Sequence, residues 1–157
     1  MKEYFQKLYK YNEWANLRVL GAIEKQNVTH EKTLSIFSHQ LVANFLWLHR
    51  IKGLPKPDLD LWKTYPMDKL REMVYDGSKL WNEYVESTDN FNRILKYDNF
   101  VNKYYETNVE HIMMHLVNHG SYHRGQVALL MRQNGYQPIN TDFITYDRMI
   151  TGQLKDN

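Results

Sequence analysis

The chain has 157 residues, 43% apolar and 24% charged, with 7 glycines and 4 prolines, which suits one folded domain over 1–157 and excludes disordered, collagenous and low-complexity classes. It has no cysteine, so disulfides, thiolate zinc sites, iron–sulfur clusters and a cysteine nucleophile are excluded. A net charge of +2, no apolar run of about 18 residues and a polar start predict a cytoplasmic protein with no nucleic-acid and no membrane partner.

Helical periodicity dominates the chain. From Lys2 to Gln26, Phe5, Leu8, Tyr9, Val19, Leu20 and Ile23 form one apolar stripe, and Asn12 and Asn16 fall on it. A buried amide needs a partner or a polar cavity, so these two asparagines are expected to border something wet. Thr33 to Lys52 is apolar on nearly every side and predicts a buried second helix, ended by Gly53-Leu54-Pro55-Lys56-Pro57 because proline cannot continue a helix. A third helix is predicted over Met67–Glu86, and a short hairpin over Asn92–Thr107 around Asp98-Asn99. The fourth helix runs from Asn108 to Gln133 and stops at Asn134-Gly135, a left-handed cap signal. The tail from Ile139 to Met149 reads as a short final helix. Four long helices predict an all-α, up-and-down four-helix bundle whose ligand site is built from inward side chains.

His111, His115, His119 and His123 recur every four residues along the fourth helix and are therefore neighbours along one side of it. At about 100° per residue, Ile112, Leu116, Val127 and Leu130 flank His119 and His123. Those two face inward, His115 lies on the shoulder of the stripe, and His111 lies nearer solvent. On the second helix His39 precedes Val42, Ala43 and Leu46 at i+3, i+4 and i+7, so it also lies on an apolar face. Imidazoles one turn apart can chelate a divalent cation with converging nitrogens. The predicted metal ligands are His39, His119 and His123, in a site between helices two and four. His30 and His49 read as surface or boundary residues, His115 as a packing or ligand-orienting residue, and Asn12, Asn16 and Trp47 as structural residues that are also the candidates for pocket walls.

The segments YNEWAN (Tyr11 to Asn16), HQLVANFLWLHRI (His39 to Ile51) and HLVNHGSYHRGQ (His115 to Gln126) resemble the DinB family of metalloenzymes across nearly the whole chain. The resemblance implies a four-helix bundle with a small hairpin before the last long helix, and metal ligands at His39, His119 and His123. Arg124, Gly125 and Gln126 complete the family motif; Gly125 is expected to permit close helix packing, and Arg124 and Gln126 to hold the bundle or a second subunit. The resemblance also implies transfer of a low-molecular-weight thiol to a small electrophile.

Three neutral imidazoles suit Zn²⁺ or Ni²⁺ and, without a fourth ligand-type residue at a matching place, leave a coordination position open. The alternative function is a non-catalytic metal-binding stress-response protein whose metal braces the bundle, which asks for a fourth protein ligand. A homodimer is expected from 12 Tyr, 6 Phe and 4 Trp and from helix faces apolar on more than one side, such as Trp14 with Leu17.

Overall fold

The computed structural model describes residues 1–99 and 103–155. Four long helices appear: α1 (Lys2–Lys25), α2 (Glu31–Lys52), α3 (Met67–Ser87) and α4 (Val109–Gln133). Strands β1 (Ile94–Asp98) and β2 (Tyr104–Asn108) lie between α3 and α4, and a short α5 (Phe143–Ile150) follows. The predicted hairpin is present as an antiparallel pair with Leu95 opposite Thr107 and Tyr97 opposite Tyr105; residues 100–102 of its connection lie outside the described residues. No described helix is long and apolar enough to cross a membrane.

Local chemistry explains where the helices begin and end. Gly53 caps α2 at φ +66°, a left-handed conformation glycine adopts without steric cost, and Gly135 does the same beyond α4 at φ +81°. Asn108, the last residue of β2, is also the N-cap of α4: its side-chain oxygen accepts from the Glu110 N–H at 2.9 Å, satisfying a donor the first turn leaves free. The hairpin therefore feeds straight into the histidine helix without a linker and helps fix its position.

The close approaches between long helices are α1 with α3, α2 with α4, α2 with α3 and α1 with α4. Helices consecutive in the chain contribute little directly in two of three cases, which departs from the simplest up-and-down arrangement of sequence neighbours. The core divides into two apolar clusters, one around Phe5, Tyr9, Trp81 and Leu116, the other around Leu20, Phe37, Met73 and Val127. Three of the long helices also carry a buried polar set: Asn12 and Asn16 on α1, Gln40 and Asn44 on α2, Arg124 on α4. The C-terminal segment covers the outside of α1. Tyr146 is buried and its ring packs on Trp14 at 5.5 Å, Tyr11 Oη donates to the Thr141 carbonyl at 2.9 Å, and Lys7 pairs with Asp147 at 2.7 Å. The apolar side of α1 at Trp14 is thus covered from within the chain.

Candidate metal centre

Helix spacing brings three of the histidines together. His39 of α2 is buried, His119 and His123 of α4 are half-buried, and one nitrogen from each lies within 4.8 Å of the others. The ring centroids are 4.3 Å apart for His119–His123, 4.9 Å for His39–His123 and 5.2 Å for His39–His119. Among the described residues this group contains three imidazoles and no carboxylate.

The far nitrogens decide how the rings point. The Leu61 carbonyl can only accept, so at 3.2 Å it takes the Nδ1 proton of His39. Gln126 Oε1 takes that of His123 at 2.7 Å. In the neutral rings both Nε2 atoms are then bare acceptors, the tautomer a metal ligand requires. His119 Nε2 stands 3.0 Å from His123 Nε2, so two ligand-type nitrogens already converge.

Burial, and after it the neighbouring imidazoles of His123, His39 and His115, lower the His119 pKa to about 3. Burial lowers that of His39 as well, opposed by its bond to the Leu61 carbonyl. Both favour the neutral ring that can donate a lone pair. His119 Nδ1 is buried without a hydrogen-bond partner. The donor set therefore fits a divalent cation of borderline softness: three neutral nitrogens, two held by acceptors on their far side.

His115 is exposed at the rim, its ring 5.4 Å from His119 and 6.3 Å from Trp47, and partial desolvation of the ring lowers its pKa. His111 is exposed. His30 bonds Thr33 Oγ1 at the start of α2, and His49 bonds the Pro55 carbonyl in the following loop; neither joins the trio.

Asn12 and Asn16 are structural: both accept from the buried Arg124. Arg124, only 1% exposed, donates through Nη1 to Asn12 Oδ1 at 2.6 Å and to Asn16 Oδ1 at 3.0 Å. Through Nη2 it donates to Tyr11 Oη at 3.3 Å and Ser121 Oγ at 3.2 Å. Gln40 Nε2 adds a 2.6 Å bond to Asn16 Oδ1. The asparagines also line a cavity of about 20 Å³ beside Asn44 and Ser78, about the room one water needs.

Gly125 corrects another expectation. A Cβ there would meet nothing within 4 Å, whereas one at Gly120 would lie 2.8 Å from Asn12 Oδ1 and 2.9 Å from Arg124 Nη1. The close approach belongs to Gly120, one turn before Arg124. Sequence reasoning also missed Gln126 as the partner of His123, although an amide three residues after a histidine on one helix is a readable signal. Leu61 and Trp62, which contact His39 from the loop after α2, carried none.

Comparison with known proteins agrees with this architecture. The model of the DinB family matches residues 1–154. A curated relative, Protein DinB of Bacillus subtilis (strain 168), is 24% identical, covering 93% of this chain and 95% of that protein. The crystal structure of a DinB-like protein from Bacillus cereus ATCC 10987 superposes with a TM-score of 0.61 at 20% identity, covering 88% of this chain and 95% of that one, a likeness of fold.

Proposed function

The chain belongs to the DinB family, and from that premise we propose a divalent-metal-dependent enzyme in which His39, His119 and His123 hold Zn²⁺ or Ni²⁺. Its proposed reaction is transfer of a low-molecular-weight thiol to a small electrophile. The observation that carries the metal is the convergence of three neutral imidazole nitrogens within 4.8 Å, with no fourth ligand-type residue in the group among the described residues. Such a set favours the catalytic reading over a structural metal, which commonly takes four protein ligands.

A divalent ion held there lowers the pKa of a bound thiol or water and so supplies a nucleophile at neutral pH. The chain's own residues do the rest. The Leu61 carbonyl and Gln126 orient His39 and His123, burial keeps His119 unprotonated, and the half-buried rims of His119 and His123 leave an approach from solvent. The thiol itself comes from the family.

In the same reading the long helices form a four-helix bundle, and the protein is a cytoplasmic homodimer acting on a small molecule, with neither nucleic acid nor membrane as partner. Tyr122 and Leu129, exposed on the outer side of α4, give a second copy apolar surface to cover.

The test is metal analysis of protein purified without a histidine tag, followed by thiol-conjugation assays. One equivalent of metal, activity abolished by a chelator and restored by Zn²⁺ or Ni²⁺ is the expected result. A metal-replete sample inert toward a broad panel of thiols and electrophiles would remove the transferase and leave the metal; light scattering showing only a 19 kDa species at micromolar concentration would remove the dimer.

A further inference from the structure

The three imidazoles are not held alike. His123 is held by Gln126 on its own helix, and His119 is flanked by histidines on either side along α4. His39 takes its Nδ1 acceptor from outside the helices, in the segment that joins α2 to α3.

In that segment Trp62 is 73% exposed, yet its indole lies over the His39 ring at 4.4 Å with 20° between the planes. Burial of apolar area does not account for an indole left so open to water. Around it the backbone is closed into a turn. The Trp62 N–H donates to Asp60 Oδ1 at 2.8 Å, the Asp60 N–H to Tyr65 Oη at 2.8 Å, and the Tyr65 N–H to Ser38 Oγ at 3.0 Å. Ser38 is fully buried on α2 and immediately precedes His39. The turn is therefore tied to the helix at the residue beside the ligand, and it presents a carbonyl to the ring's edge and an indole to its face.

We propose that Trp62 is a positioning residue: stacked on His39, it fixes that imidazole toward His119 and His123 and thereby sets the affinity of the trio for its divalent ion. The inference rests on the metal reading above. A ring with one hydrogen bond can still swing about it; a face contact removes that freedom, and partners that orient a ligand typically contribute 10- to 100-fold in metal affinity. Phenylalanine would preserve the stack, and alanine would abolish it.

The experiment compares Zn²⁺ affinity, by competition with a chromophoric chelator, for the unmodified chain and for Trp62→Ala, Trp62→Phe and His123→Ala, with circular dichroism to establish folding. Trp62→Ala is expected to fold normally and to bind Zn²⁺ about 10- to 100-fold more weakly, with Trp62→Phe recovering most of the loss. Quenching of tryptophan emission by added Ni²⁺ should lose its largest component in Trp62→Phe. Trp62→Ala binding Zn²⁺ as tightly as the unmodified chain, while His123→Ala does not bind, would overturn this inference and leave the metal site standing. Unchanged binding by His123→Ala would overturn both.

Discussion

One helix solves two opposite problems on two of its sides. Toward α2, α4 presents His119 and His123, whose nitrogens converge with that of His39 and face one another. Toward α1 it presents Arg124, whose Nη atoms all find oxygen, from Asn12, Asn16, Tyr11 and Ser121. Burying a guanidinium is costly unless its donors are satisfied, and here no carboxylate shares the task in the bonds it makes. The charge is dispersed over four neutral groups. The lesson is that two sides of one short motif, HGSYHRGQ, are polar for unrelated reasons: one spends both Nη groups of Arg124 on the fold, with only its Nε left unpartnered, and the other gathers imidazole nitrogens for a ligand.

The comparison breaks most visibly at Arg124. Arg124→Leu would leave Asn12 Oδ1 without its donor and Asn16 Oδ1 with Gln40 alone, and should lower stability by about 1–3 kcal/mol, read from urea denaturation of the metal-free protein. A loss below about 1 kcal/mol would show that the α1 side is not the structural one.

Metal should act only on the other side. At about one hundred times its dissociation constant, Zn²⁺ should add about 2.7 kcal/mol to the unmodified protein and nothing to His119→Ala, as measured by the shift of the thermal midpoint. An undiminished shift in His119→Ala would place the bound ion elsewhere.

The two glycines separate the sides more finely. Gly120→Ala forces a methyl against Asn12 and Arg124 and should cost about 1–3 kcal/mol, although alanine is the better helix former. Gly125→Ala, in open space, should gain up to about 1 kcal/mol. Equal effects at both positions would erase the distinction.

The smallest effect is expected at alkaline pH. Tyr9, whose hydroxyl points to the Met113 carbonyl of α4, has its pKa raised well above 10 by burial and by neighbouring Tyr84. A raised folded pKa means that this contribution is full below pH 10 and is lost as pH rises, because the unfolded chain releases its proton first. The loss should approach about 1.4 kcal/mol per pH unit for this group, and Tyr9→Phe should lessen the slope.

How much of this was legible in the sequence depends on periodicity. His39, His119 and His123 were readable because a helix converts spacing into direction, and the hairpin because its residues stop obeying that period. The role of Arg124 was implicit: Asn12 and Asn16 on the α1 stripe demanded a partner, and Arg124 lies about 140° round α4 from His119. It was missed because the motif drew attention to Gly125 as the packing glycine, whereas the close contact is set one turn before Arg124, at Gly120. Leu61 and Trp62 had no signature at all, since a backbone carbonyl looks the same in every residue and a loop tryptophan has no face until the chain folds. The pairing of α1 with α3 and α2 with α4 was likewise invisible, being a choice among packings that satisfy the same stripes.

The tether of the C-terminal segment carries a consequence for proteolysis and tagging. Tyr11 both donates to the Thr141 carbonyl and accepts from Arg124, so it joins the C-terminal segment to the buried guanidinium. Cleavage anywhere in 136–142 would free Tyr146 from Trp14 and open a path for water along α1 to a charge that the fold otherwise keeps dry. Fusions and truncations at this end would then be felt in the middle of α4, next to His123, with no change to any of the three imidazoles.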